Sequence, residues 1–400
     1  MDLRTHYPYS LLRKGIIASY PSLQQHTRCD VAVIGAGVTG ALIAYHLCRA
    51  GIDAAVFDKR HAGMGSTAAS TALLQYEIDV PLRELVQKVG EKNAIRSYQL
   101  CEQSINEIKK ISKQAGGENT FRGKPSFQYA SYKKDVKNLS EEYKLRKRAG
   151  FAMDWMDEND VANTFGFKKP AGLLSKSGGE IDAYAFTHSL LRHCIKNEIP
   201  VYDHTAIIQV NYNKRGAELL TGEGKKIKAR KIVIACGYES VRYLKKKVEK
   251  FHSTYAIASE PILVKKPWYR DALIWETATP YLYMRGTTDN RIIAGGKDAD
   301  FIGALKRDAA LNKKAEAIRK DVMKLFPALP FHIDFKWAGT FASTKDGLPY
   351  IGSAEGIPHT YFALGYGGNG ITFSVIAAKI IADLIGGNKN SDAAIFKFSR

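Results

Sequence analysis

Residues 30–58 read DVAVIGAGVTGALIAYHLCRAGIDAAVFD. The apolar run Val31 to Ile34 stops at Gly35, and Gly35, Gly37 and Gly40 follow at the spacing G-x-G-x-x-G. A helix-patterned stretch, Ala41 to Ala50, ends at Gly51, and a second apolar run, Ala54 to Phe57, ends in Asp58. Strand, glycine turn, helix, strand and acid is the order a dinucleotide site needs. Gly35 permits the tight turn out of the strand. Gly37 has no Cβ, so a pyrophosphate approaches the backbone. Gly40 lets the helix pack close to the strand, and the helix start, with Val38 and Thr39, turns its N–H groups and positive dipole end to the phosphates. Asp58 stands 18 residues after Gly40, where a carboxylate accepts hydrogen bonds from an adenosine ribose. An acid there argues against a 2′-phosphate.

The region after the acid is rich in small and hydroxylated residues. Lys59 and Arg60 lead into Gly63, Gly65, Ser66, Thr67, Ser70 and Thr71, which line a cofactor closely or offer hydroxyls to phosphates. Downstream, the pattern is helical from Leu82 to Gln114 with a break at Gly90, then strands over Phe121 to Tyr132, then a charged helix from Lys134 to Ala149. Lys144 to Arg148 on that helix read as a solvated face. A helix is expected over Ala183 to Asn197, strands over Val201 to Val210 and 217–230, and a buried strand over Lys231 to Gly237. Residues 251–302 are β-rich, with runs at Ser253 to Val264, Ala272 to Thr277, Tyr281 to Arg285 and Arg291 to Gly295. A long helix is expected from Leu305 to Leu325. Near the end, Gly365 to Thr372 opens a last helix, Phe373 to Ile385, a second helix N-terminus able to face an anion or dipole.

The chain has 400 residues, enough for two domains with their own cores. With 45% hydrophobic and 25% charged residues it is an ordinary globular composition. No apolar run reaches the ~20 residues of a membrane span. Residues 1–29 read as an extended arm with one short turn, and the first 28 lack a signal-peptide core. Five cysteines, Cys29, Cys48, Cys101, Cys194 and Cys236, form no C-x-x-C pair. They imply a reducing, cytoplasmic compartment and neither a structural metal nor a disulfide framework. The formal net charge of +19 would attract an anionic partner such as nucleic acid. The lysine runs are scattered and lack interleaved aromatics, so a solvated basic surface is the preferred reading.

Together the motifs resemble the D-amino-acid-oxidase-like (DAO) family of FAD-dependent amine oxidoreductases, in its glycine-oxidase and sarcosine-oxidase branches. The resemblance rests on the fingerprint, the Ser/Thr loop at 65–71, Gly179 to Asp182, Thr205 to Ile207, Ala235-Cys236-Gly237, the Gly347-Leu348-Pro349 turn and the Gly365 to Gly370 cluster. It implies an α/β fold: a discontinuous Rossmann-like FAD domain (1–89, 179–244, 336–400) and an α+β substrate domain on a mostly antiparallel sheet (90–178, 245–335). By the same resemblance Gly35 to Gly40 hold pyrophosphate, Asp58, Lys59 and Arg60 flank the ribose, and Gly65 to Thr67 and Thr71 lead towards the flavin. The backbone at Ile207 faces adenine, and Cys236, Gly237 and Gly347 border the cofactor. Gly367, Gly368, Asn369, Gly370, Ile371 and Thr372 bring the helix dipole to the flavin's pyrimidine side, where reduction adds negative charge.

The implied reaction moves a hydride from a C–H beside an amine nitrogen to flavin N5, and the imine then hydrolyses. Molecular oxygen is one candidate acceptor; oxidase and dehydrogenase stay open. Tyr281, Tyr283 and Arg285, on a platform strand, are the expected substrate contacts, with Glu77 and Gln75 after the flavin loop as further candidates. The departures matter as much. Phe341 stands where members acting on α-amino acids often carry an arginine. Thr372 stands where sarcosine-oxidase-like members use a lysine, Gly339 where they attach flavin through cysteine, and Ile293, near Lys297, where they place an oxygen-activating lysine. Hence the expectation is non-covalent FAD and a small amine other than a simple α-amino acid. The alternative is the branch acting on a modified amine of tRNA, which the basic charge would suit.

Overall fold

The computed structural model describes residues 2–5, 7–116, 120–263 and 267–400. The end of the strand expected over Ser253 to Val264 lies outside them, since Val264 is not described.

Strand Thr27–Ile34 lies at the centre of the first sheet, parallel to Ala54–Phe57 on one side and to Lys226–Ile234 on the other. Val33 sits between Val56 and Val233. Buried on both faces, these strands read as near-continuous apolar runs. Val201–Tyr202 extends the sheet beyond Ala54–Phe57. On the far side, the long strand Lys226–Ile234 pairs along its first half with the antiparallel hairpin strand Gly216–Thr221, and along its second half with Thr360–Leu364. One strand therefore merges the hairpin expected over 217–230 with the buried run at 231–237. The helices Val38–Arg49, Ala183–Lys196 and Gly370–Ile385 share one core over this sheet.

The second sheet has eight strands among the described residues. In spatial order they are Ile333–Ser343, Lys250–Ser259, Ile292–Asp300, Tyr283–Gly286, Leu273–Glu276, Ser126–Tyr129, Ala171–Ser175 and Met153–Asp157. Among the described residues, only the pairing of Leu273–Glu276 with Ser126–Tyr129 is parallel in this sheet. Its core takes in the apolar face of helix Leu311–Leu325. The helix expected from Leu305 breaks in two, Ala304–Ala309 and Leu311–Leu325. A small third sheet sets Gly179–Ile181 between Leu73–Leu74 and Phe121–Gly123, antiparallel to both.

Two expected boundaries need correcting. A cut at 336 falls inside strand Ile333–Ser343, which belongs wholly to the second sheet. Helix Glu91–Gln114 packs its buried face, Ala94, Tyr98, Cys101, Ile105 and Ile108, into the core of the first sheet's helices rather than into the second sheet. The charged helix, Val136–Arg148, is also not a purely solvated face. Arg146 is only 1% exposed, because the carboxylates of Glu142 and Glu77 lie beside it. The N-terminal arm runs along Ile333–Ser343, with Thr5 N–H on Ala338 O and Thr340 N–H on Leu3 O. All five cysteines are free, no group of residues able to hold a metal occurs among the described residues, and no described helix is long and apolar enough to cross a membrane.

Candidate active site

A long cleft runs between the two sheets, from the fingerprint turn to the start of helix Gly370–Ile385. At its first end stand Gly35, Gly37, Val38, Thr39 and Asp58. Gly35 has φ +109, and a Cβ there would come 2.8 Å from the Ala235 carbonyl carbon and closer still to its oxygen. Gly40 lines no part of the cleft; a Cβ on it would meet the Gly35 carbonyl carbon at 2.9 Å, so its hydrogen lets helix and strand close up. Gly37 faces the Thr67 hydroxyl, which accepts the Val38 N–H at 3.0 Å. This ties the Ser/Thr loop to the phosphate turn.

The Asp58 carboxylate accepts N–H bonds from Ala36 (2.7 Å) and Arg60 (2.9 Å). Burial nevertheless raises its pKa, with those two donors opposing. Lys59 Nζ and Arg60 Nη2 both turn to Glu239, at 2.7 and 3.0 Å. Burial would raise the Glu239 pKa, but these cations hold it at about 2. Thr205, Ile207, Cys236 and Gly237 complete this end. A dinucleotide suits these donors: bare glycine backbone, a helix N-terminus and a terminal acid are in one groove.

Gly65, Ser66, Thr67 and Thr71 line the middle. Their loop is pinned to the second sheet by Trp337 Nε1–H on Ala69 O, 2.9 Å. Gly367, Gly368, Asn369, Gly370, Ile371 and Thr372 bring in the last helix. Asn369 Nδ2 donates to the carbonyls of Gln75 (3.2 Å) and Glu77 (2.8 Å), which sets that helix start against the segment that follows strand Leu73–Leu74. The Asp79 carboxylate accepts the Gly368 N–H at 2.7 Å and the Tyr281 hydroxyl at 3.1 Å.

The expected substrate residues divide. Tyr281 and Tyr283 line the cleft, rings 5.8 Å apart. Tyr283 lies across Gly295, where a Cβ would run into the Tyr283 ring and hydroxyl. Arg285 does not line it. Strand alternation would place Arg285 on the Tyr283 face, yet its guanidinium turns to the Thr71 carbonyl (2.6 Å) and Glu180 (2.7 Å), and is buried there. Lys124 (2.8 Å) and Arg122 join the same carboxylate. Glu77 is also outside the cleft. It is 5% exposed and paired with Arg146, and burial lifts its pKa to about 7 against that cation. Gly347, at φ +85, makes room for Val80 rather than bordering the cleft.

Thr254, Tyr255, Trp337, Tyr366 and Asp298 also line the cleft without a signal of their own in the sequence, and Asp298 alone of these brings a carboxylate. A register shift between Ser253 and Tyr255, opposite Gly296, and a left-handed Lys297 (φ 56) reset the alternation of strand Ile292–Asp300. Asp298 therefore faces the cleft, while Lys297 pairs with Asp321 on helix Leu311–Leu325. Burial, reinforced by Asp79, pushes Asp298 up to about 6, with Thr254 and Lys314 opposing. The glycine pair Gly295-Gly296 before it was the one available signal. Phe341 and Gly339 line the same end, and Ile293 is buried in the core behind Trp337.

Residues 30–384 match the family model described as FAD dependent oxidoreductase (DAO). Among curated relatives, γ-glutamylputrescine oxidoreductase of Escherichia coli is 25% identical over 392 residues, covering 93% of this chain and 85% of its own. Glycine oxidase of Geobacillus kaustophilus is 24% identical, covering 93% and 97%. In structure, that glycine oxidase superposes with a TM-score of 0.78 at 19% identity over 93% of this chain and 99% of its own. L-proline dehydrogenase from P. horikoshii gives 0.76 at 18%, over 93% and 97%. The chain belongs to the DAO family of FAD-dependent oxidoreductases.

Proposed function

We propose that this enzyme oxidises the C–N bond of a small amine that carries no α-carboxylate, with FAD held non-covalently. One observation carries the reading. Among the described residues, the cations lining the cleft are Lys59, Arg60 and Arg242, and Lys59 and Arg60 pair with Glu239 at the Asp58 end. The Tyr281 end presents Phe341, Tyr283, Thr254 and Asp298 instead. A substrate carboxylate buried there would lack a bidentate partner, which is costly. The relatives' names include amino acids as well as γ-glutamylputrescine, so the lining, not the names, makes the choice.

Bound FAD supplies the hydride acceptor for the carbon beside the amine nitrogen. The Gly35 to Gly40 turn, Asp58 and the Gly65 to Thr67 loop would hold it, with the start of helix Gly370–Ile385 placing positive potential at its far end. Tyr281, Tyr283, Phe341 and Trp337 wall the reacting end and exclude water. Gly339 offers no thiol for attachment. The cleft's cysteine, Cys236, donates to Ile34 O at 3.2 Å at the opposite end, and burial raises its thiol pKa. The test is turnover on a panel of amines and amino acids, read as released aldehyde, followed by acid precipitation. Aldehyde from amines, and yellow supernatant, are expected. Oxo-acid from amino acids, or flavin left on the pellet, would contradict the reading.

A further inference from the structure

Asp298 presents a problem that the proposed reaction does not by itself solve. Its Oδ1 is buried and has no hydrogen-bond partner, while the residue lines the cleft. The groups around it do not neutralise it. Tyr255 and Thr254 face it from strand Lys250–Ser259, and Tyr281 and Tyr283 from the neighbouring strand and its lead-in. Asp79 adds a second negative charge from the 70s segment. Lys314 is the one cation acting on it in that set, and its ammonium is spent on Lys297 O at 2.8 Å and the Tyr255 ring at 5.4 Å. Asp79 is itself seated deliberately. A Cβ on Gly368 would stand 2.7 Å from its Oδ1, and one on Gly367 2.6 Å from its Oδ2. A carboxylate whose Oδ1 is buried and unpartnered, and which has the Thr254 hydroxyl as its hydrogen-bond donor, is still short of a counter-charge, and a cation arriving in the cleft relieves that.

We propose that Asp298, with Asp79 adding to the field, binds a second ammonium group of the substrate, so that the substrate class is a diamine. This rests on the amine-oxidation reading above. The second group, not the reacting nitrogen, is the one held. Oxidation draws on the nitrogen lone pair, so that nitrogen must lose its proton, and a carboxylate beside it would keep the proton on. A free amine is protonated at neutral pH, with a pKa near that of lysine. A distal ammonium therefore meets Asp298 as a cation, and Tyr281 and Tyr283 offer ring faces to it.

The experiment uses the FAD-loaded enzyme without oxygen and three probes of the same chain length: putrescine, butylamine and γ-aminobutyrate. Flavin bleaching per unit concentration is expected to favour putrescine over butylamine by about a hundredfold, the scale of a desolvated charge contact, with γ-aminobutyrate slowest. In Asp298→Asn, and again in Asp298→Ser, that advantage should fall to about threefold or less. Tetramethylammonium, which has no lone pair to oxidise, gives a reading independent of turnover. Its dissociation constant, from the shift of the visible flavin spectrum, should rise about tenfold in both variants, on the same scale. Equal bleaching by putrescine and butylamine in the parent enzyme, or an unchanged tetramethylammonium constant in both variants, would overturn this inference alone. Fastest bleaching by sarcosine or proline would instead overturn the amine reading on which it rests.

Discussion

Replacing Arg285 by methionine separates a substrate contact from a buried strut. In the structure, Arg285 Nε donates to Thr71 O at 2.6 Å and Nη1 to Glu180 Oε2 at 2.7 Å. Glu180 and Arg285 are both buried. Methionine roughly keeps the length of the side chain and removes both bonds, along with a third from Nη1 to Gly286 O at 3.1 Å, a carbonyl that keeps Lys124 Nζ at 2.9 Å. The Thr71 carbonyl then lacks its charged donor, a loss of about 1–3 kcal/mol. Glu180 keeps Lys124, at 2.8 Å, and Arg122, so the change stays below the 3–5 kcal/mol of a wholly orphaned buried charge. About 3 kcal/mol in all is expected from equilibrium urea unfolding followed by tryptophan fluorescence. Burial raises the Glu180 pKa and the three cations more than reverse it, leaving it lowered. A lowered carboxylate pKa stabilises the fold above the unfolded value and loses that contribution as pH falls through the folded one. The variant should therefore lose less stability than the parent on acidification. KM for the amine should change by less than about threefold, since Arg285 does not reach the cleft. An unchanged urea midpoint with a KM raised tenfold or more would refute the reasoning and return Arg285 to the substrate.

Two further substitutions follow from backbone geometry and buried charge. Gly35→Ala forces a Cβ into the Ala235 carbonyl at φ +109; strain and overpacking together cost about 3 kcal/mol, and the purified variant should carry well under half the flavin per chain of the parent by absorbance. A fully yellow variant would contradict the tight-turn role. Glu249 is 3% exposed, no cation among the described residues faces its carboxylate, and burial pushes it up to about 8, with only the Gly365 N–H opposing. Its folded pKa lies above the unfolded one, so its contribution is present below about pH 4.5 and is lost as pH rises towards 8. Glu249→Gln should then stabilise the protein at pH 8, by about 4 kcal/mol at most, and little at pH 5; a variant destabilised equally at both would show the carboxyl to be partnered.

The cofactor half of the molecule was legible because its demands are local. The turn at Gly35 to Gly40, the acid ending Ala54–Phe57 and the small-residue loop are constraints on neighbouring residues, and all of them border or shape one groove. The substrate half was not, because its demands are long-range. Arg285 stands on the expected strand, but its destination depends on Glu180, 105 positions away. Glu77 follows the cofactor loop in sequence, but its carboxylate is buried beside Arg146, on a helix that reads as solvated. Asp298 was hidden by a register irregularity at Gly296 and Lys297, since strand alternation assumes an unbroken ladder. The boundary at 336 failed for a related reason. Strand Ile333–Ser343 belongs to the second sheet through its pairing with Lys250–Ser259, and pairing leaves no mark on the segment itself.

The most direct measurement is anaerobic bleaching of the bound flavin by matched pairs that differ only in a carboxylate: pyrrolidine against proline, and dimethylamine against sarcosine. The cleft's Phe341, Tyr283 and Asp298 predict that each amine outpaces its amino acid, and that free acetate does not slow it. Faster bleaching by proline and sarcosine, with acetate competing, would contradict the central claim, for it would require a cation at the Tyr281 end of the cleft.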